Sequence, residues 1–302
     1  MKPAKDVAFV GADGELGKVL TGALGARGVR LRCPDMAKAW PLGELAEANV
    51  VINAAGPRHH PGLQWSDYLR EHVGTATQVA QSVPSGSYLV HVSSAAVYGS
   101  RRPLADAATP ECPATFPAEA YAWAKLAAEH AVRAICRERG VALTVLRPSI
   151  IYGPGSGGVF LTLRRIAARG VRFVLTPPDA RHHLLHVDLF GRVLATLVER
   201  GPRDDPPMLV LADPFVLTTR DVNEALRRAG PRALAVPVPI HLAAATMRVW
   251  QRRLEIQAPA HLAVAAMLAI DNEYDWRPAF DRLGLDPAEF GRERFERFMD
   301  EG

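Results

Sequence analysis

Short apolar runs, separated by glycine-rich turns and by stretches of helical periodicity, organise this chain. Val7 to Val10, Val50 to Asn53, Tyr88 to Val92 and Val141 to Leu146 are too short for helices and are bounded by turn residues, so they read as buried strands. Val29 to Cys33 adds an alternating strand, with Val29, Leu31 and Cys33 on one face and Arg30 and Arg32 on the other. Between the strands, the segment ending near Ala26, Ser66 to Val83 and Glu119 to Glu138 have amphipathic helical spacing. Strands and helices alternating about every 25 to 30 residues predict an α/β chain with a doubly wound parallel sheet. From Val159 the pattern loosens. Phe160 to Ala168, Leu189 to Val198 and Thr219 to Ala229 read as helices, the last behind a Thr218 or Thr219 cap, and Met208 to Ala212 reads as a strand. Ile240, Met247, Trp250 and Leu254 recur at helical intervals within Ile240 to Ile256, a stripe expected in a core. The expected organisation is a sheet domain over residues 1–150, with return segments near 185–215, and a smaller interleaved C-terminal substrate lobe over 151–302.

Composition narrows the class. A chain of 302 residues, 48% apolar and 23% charged, can bury a full core. It contains neither 18 uninterrupted apolar residues nor the pattern of a signal peptide, so no membrane association is expected and the cytoplasm is the expected compartment. Cys33, Cys112 and Cys136 are too few and scattered for a disulfide framework or a metal knuckle, and read as reduced packing residues. A net charge of +4 spread along the chain does not suggest nucleic acid. Beyond Lys38, Lys125 is the sole lysine, which sets it apart.

The first strand runs into Gly11-Ala12-Asp13-Gly14-Glu15-Leu16-Gly17 and then a helix. Glycines at the first, fourth and seventh positions let the chain turn tightly, let backbone N–H groups approach a ligand and let the helix pack on the sheet. The helix N-terminus behind them favours an anion such as a pyrophosphate, as in a dinucleotide-binding Rossmann sheet. Asp35 lies 24 residues past Gly11, where such folds place an acid on the adenine ribose. There it favours NAD over NADP, whose extra phosphate it would repel; Arg30 or Arg32 would argue the other way, and a solvated loop Asp is the plain alternative. The small residues of Asn53-Ala54-Ala55-Gly56 let backbone lie against a flat ligand. His59 and His60 have no Cys or carboxylate partner at ligand spacing, so they read as loop histidines and no metal is expected.

Three further residues make a proton-transfer set. Ser94 ends the Tyr88 to Val92 strand, where ligands of open α/β sheets bind. Tyr121 and Lys125, four apart, share one face of the Glu119 to Glu138 helix. A phenol ionises near pH 10 and needs a neighbouring positive charge to act as acid or base at neutrality, which Lys125 can provide. Ser94 would then hydrogen-bond the substrate oxygen.

With these residues in order, the chain resembles an extended short-chain dehydrogenase/reductase of the NAD-dependent epimerase/dehydratase family over essentially its whole length. The resemblance rests on Gly11, Gly14 and Gly17; on Ser93 to Gly99; on Tyr121-Ala122-Trp123-Ala124-Lys125; on Arg147-Pro148 with Tyr152-Gly153-Pro154-Gly155; and on His186-Val187-Asp188 and Leu283 to Pro287. It implies that Tyr121 is the acid/base, Lys125 its helper and holder of the nicotinamide ribose, and Ser94 the substrate-oxygen ligand. It also implies that Gly11, Asp13, Gly14, Glu15, Leu16, Ala54 and Pro148 line NAD(P), beside Gly17, Asp35, Ala55 and Gly56. A homodimer through the Tyr121 helix and its neighbour is implied as well. The expected activity is reduction, oxidation or epimerisation at a secondary alcohol or ketone of a small molecule, either a nucleotide-sugar 4-ketone or a natural-product-like ketone. A non-catalytic NAD(P)-sensing protein is the alternative. The chain departs from the family pattern at Val159, where a diphosphate-binding Asn often stands, and at Glu71 or His72, where another Asn is usual.

Overall fold

The computed structural model describes residues 6–34, 45–56, 65–98, 120–156, 159–202, 208–239 and 272–301. Asp35, His59, His60 and the stripe from Ile240 to Ile256 lie outside the described residues. The main sheet is built from β1 (Val7–Val10), β2 (Leu31–Arg32), β3 (Val50–Asn53), β4 (Tyr88–Val92), β5 (Ala142–Pro148) and β10 (Met208–Leu211), in the order β10-β5-β4-β3-β1-β2, with every pairing parallel. Strand order reverses at β1, with β2 on one side and β3 on the other. The reversal opens the crevice in which α/β sheets hold ligands.

Residue alternation along the strands divides the core in two. Val7, Phe9, Val50, Ile52 and Val90 face α1 (Glu15–Gly25), α5 (Val187–Arg200) and α7 (Arg277–Leu283). Ala8, Val10, Val51 and Leu89 face α2 (Trp65–Ser82) and α3 (Ala120–Arg139), meeting Val79, Ala80, Ala128 and Val132. This two-sided burial is why the strands read as unbroken apolar runs. The expected strand from Val29 to Cys33 shrinks to two residues. The Val29 N–H closes the turn after α1 by donating to Leu24 O (3.1 Å), which takes it out of the sheet. Cys33 is exposed, which corrects its reading as a packing residue; Cys136 is buried, and Cys112 lies outside the described residues.

The remaining elements form a smaller lobe. Three two-stranded pairs, β6 (Ile150–Tyr152) with β9 (Leu184–His186), β7 (Val171–Thr176) with β12 (Leu234–Pro239) and β8 (Arg181–His182) with β11 (Leu217–Thr218), combine with α4 (Val159–Ala168), α6 (Thr219–Ala229) and α8 (Glu293–Glu301). Tyr152 is central there, its ring edge-on to His186 and Phe295 at centroid distances of 5.0 and 5.5 Å. Thr218 caps α6: its hydroxyl accepts from the Asp221 N–H while the Asp221 side chain accepts from the Thr218 N–H. The lobe is interleaved with the sheet, because the chain returns through α5 and β10 before completing it.

Candidate active site

The glycine turn is built as a cradle. Gly11 has φ +94°, and a β-carbon there would lie 2.7 Å from Ala55 N and 2.9 Å from the Ala54 carbonyl carbon. A β-carbon on Gly17 would lie 2.0 Å from Gly11 O, so α1 rests directly on the turn. Gly14 differs: the nearest atom to its β-position is 3.5 Å away. Gly14 is also the N-cap of α1 and offers no side chain to that helix end, while Asp13 and Glu15 are exposed and Leu16 half-buried. The turn thus brings the N-terminal, positive end of the α1 dipole to the crevice with no side chain from Gly14 in the way, and it fits the pyrophosphate of a dinucleotide. Arg32 is fixed elsewhere, bonded to Asp6 and, at 2.7 Å, to Glu47. Pro148 is buried at the end of β5, opposite Leu211 of β10.

Tyr121 and Lys125 come together one turn apart on α3. Lys125 is buried, its Nζ donates to Val92 O at the end of β4 (3.1 Å), and it lies 5.9 Å from the Tyr121 ring centroid. Burial pulls the Lys125 ammonium down to about 8, an effect that the Glu129 charge opposes. Ser94 follows Val92 by two residues, and its Oγ accepts from the Ala96 N–H (3.1 Å) at the 3₁₀ turn Ala95–Tyr98, an arrangement that leaves the O–H to donate. Gly56 sits on the other side of Lys125. Its β-position would be 3.6 Å from Lys125 Nζ and 2.7 Å from the ring of His72. His72, on α2, meets the Tyr121 ring edge-on at 5.4 Å.

Several residues here escaped the sequence reading. The Ala55 N–H donates to Asn53 Oδ1 (3.1 Å), which turns Asn53 Nδ2 toward His91 Nδ1 (3.3 Å) and makes that ring nitrogen the acceptor. Neutral His91 therefore carries its proton on Nε2. Burial first, and the Lys125 charge second, hold both His72 and His91 down at about 3, so neither competes with Lys125 as the cation of the site. Behind Lys125, Glu129 is fully buried and accepts from Ser93 Oγ (2.5 Å) and from Arg147 Nε (2.9 Å) and Nη2 (2.6 Å). The Arg147 guanidinium lies over the Tyr98 ring at 4.9 Å. A period-two reading of the strands would have exposed the set, because Asn53, His91, Ser93 and Arg147 share the strand face that carries Val51 and Leu89. Among the described residues, no group of three or more His, Cys, Asp or Glu side chains could hold a metal ion, and no helix is long and apolar enough to cross a membrane.

Comparison with known proteins gives the family. Residues 8–210 match the model of the NAD dependent epimerase/dehydratase family. The chain belongs to that family. The epimerase/dehydratase match runs from β1 into β10, so the glycine turn, Ser94, Tyr121 and Lys125 all fall inside it, while α6, α7 and α8 lie beyond. A UDP-glucose 4-epimerase of Vibrio cholerae is 23% identical over 208 residues, 65% of this chain and 62% of that protein's length, less than two thirds of it. Among solved structures, the NAD dependent NDP-hexosamine 5,6-dehydratase TunA of tunicamycin biosynthesis superposes with a TM-score of 0.73 at 20% identity, covering 98% of this chain and 97% of that one. MoeE5 in complex with UDP-glucose and NAD gives 0.71 at 19%, covering 97% and 96%. RMD from Pseudomonas aeruginosa complexed with NADPH gives 0.72 at 20%, covering 98% and 96%. At these identities the structures establish a shared fold, which is the doubly wound sheet and lobe expected from the sequence.

Proposed function

We propose that this epimerase/dehydratase family member is an NAD(P)-dependent enzyme that transfers hydride and proton at a secondary alcohol or ketone, with a nucleotide-linked sugar as the favoured substrate class. The carrying observation is Lys125, buried, tied to Val92 O and one helical turn from Tyr121. In this reading residues 1–150, with return segments near 185–215, bind the dinucleotide, and 151–302 mainly bind substrate. The glycine turn holds the pyrophosphate, with Ala54, Ala55, Gly56 and Pro148 lining the crevice. When bound, the dinucleotide supplies or accepts the hydride. Tyr121 gives or takes the proton at the substrate oxygen, its phenolate favoured by the ammonium of Lys125. The Ser94 O–H donates to that same oxygen and fixes its position. The substrate class is supported by the relatives, whose names state nucleotide-sugar chemistry.

NAD is the preferred cofactor on Asp35 and on the engagement of Arg32 with Asp6 and Glu47. A homodimer through α2 and α3 accords with the exposure of Trp123 on α3.

Tyr121→Phe is expected to keep dinucleotide affinity and to lower turnover by roughly 10²-fold or more. Turnover is read by nicotinamide absorbance, with NADH and NADPH each offered against UDP- and dTDP-linked sugars and simple ketones. Unchanged turnover in the variant would overturn the mechanism. Dinucleotide binding by the wild type without turnover of any of these substrates would favour the sensing alternative.

A further inference from the structure

Glu129 has no part in the proton-transfer set, yet the fold goes to some length to bury it. A buried carboxylate costs several kcal/mol unless it is paired, and elsewhere on this face α3 packs with Ala128, Val132 and Cys136. The ion pair with Arg147 occurs where α3 meets the carboxyl ends of β4 and β5, directly behind Lys125. Two side-chain bonds link the helix to the end of β4 there. Lys125 Nζ donates to Val92 O (3.1 Å), and Ser93 Oγ donates to Glu129 Oε1 (2.5 Å), so consecutive strand residues are held by helix residues one turn apart. The next strand-end residue is Ser94.

We propose that Glu129 is a positioning residue of the active site, fixing the end of β4 so that Ser94 stands in register with Tyr121, and placing its buried carboxylate one helical turn from Lys125. The proposal rests on the reading of Tyr121 and Lys125 as the acid/base pair. Among the described residues, the groups that face Lys125 are Tyr121 and Glu129 from its own helix, His72 from α2 and His91 from β4, with Arg147 of β5 behind Glu129. Both imidazoles are neutral, so the charge opposing the desolvation of Lys125 comes from Glu129.

The test separates position from charge. Glu129→Gln keeps the shape and an acceptor for Ser93 but removes the charge. Because it strands Arg147, the double variant Glu129→Gln/Arg147→Met is made beside it, as a neutral replacement of the pair. In both, kcat at neutral pH is expected to fall about ten-fold or more with dinucleotide Kd unchanged, and the basic limb of the kcat profile to move to lower pH as Lys125 loses its proton sooner. Ser93→Ala keeps the charge and deletes one bond; kcat is expected to fall about five-fold or more through misplacement of Ser94, with the pH profile unmoved. A double variant whose kcat and profile superimpose on the wild type would overturn the role of the charge. An unchanged kcat in Ser93→Ala would overturn the role in position, and this variant decides the matter if neither charge variant folds. Tyr121→Phe is run in parallel. Retained turnover there would remove the acid/base reading itself, whereas lost turnover there with unaltered Glu129 and Ser93 variants would remove only this inference.

Discussion

Gly56 leaves no space for a β-carbon, since one would press on the His72 ring at 2.7 Å and reach 3.6 Å from Lys125 Nζ. His72 in turn meets the Tyr121 ring. Gly56→Ala is therefore expected to fold and to lose turnover by roughly 10²-fold, the scale of a misplacement of about 1 Å among reacting groups. Turnover and a thermal melt measured together check this, and a variant with full activity would show that His72 does not set the place of Tyr121. At this scale the sequence was informative about residue types that are rare in their setting. Lys125 stood out because lysine is otherwise absent from the later chain, and Tyr121 because it lies one turn before it. His72, His91 and Glu129 did not stand out. Their burial and charge depend on which strands pair and which helices cover them, and a residue letter carries neither. Of the neighbours Glu71 and His72, His72 is the one that α2 turns into the buried interior.

Among the elements, the turn between β1 and α1 separates two uses of glycine. Gly17→Ala would drive a β-carbon to 2.0 Å from a backbone oxygen that cannot swing aside, so it is expected to destabilise the fold by about 2 kcal/mol or more. Gly14→Ala meets nothing closer than 3.5 Å and is expected to leave stability within about 0.5 kcal/mol while weakening dinucleotide binding, because the added methyl group stands where the ligand would approach. Urea unfolding and dinucleotide titration of the two variants check the contrast; equal effects on both measurements would refute it. The bounds of β1, β3, β4 and α6 agree with the apolar runs and the helical pattern. Strands buried on both faces, and a helix with a strong cap, announce themselves locally. The lobe strands β7, β8 and β12 do not. Arg172 interrupts the apolar pattern of β7, β8 has two residues, and β12 contains prolines and an exposed Leu234, so each depends on a distant partner to be a strand at all.

Among the described residues of the whole molecule, buried imidazoles dominate the response to acid. Burial holds His72 and His91 at about 3 and His183 and His186 at about 4, all below the ordinary value of 6.5. Between those values the unfolded chain binds more protons, so this stability is complete above about pH 6.5 and is lost as pH falls. Asp213 works the other way: burial lifts its carboxyl to about 7, so its contribution is present at low pH and lost as pH rises through 7. Four groups outweigh one, and stability is expected to fall from pH 7 to pH 5, with a slope near the lower end of about 4 kcal/mol per pH unit. Urea unfolding across that range checks it, and a flat profile would mean that the imidazoles are protonated in the folded state.

One more connection spans the molecule. Asp188, at the start of α5, is bonded to Arg27 just after α1 (2.6 Å) and to Arg294 on α8 (3.0 Å). The helix that carries the glycine turn and the helix that closes the lobe core therefore share one anchor. A fusion placed after α8, or a partner seated on it, would therefore act on a helix whose Arg294 shares one carboxylate with the residue that follows α1.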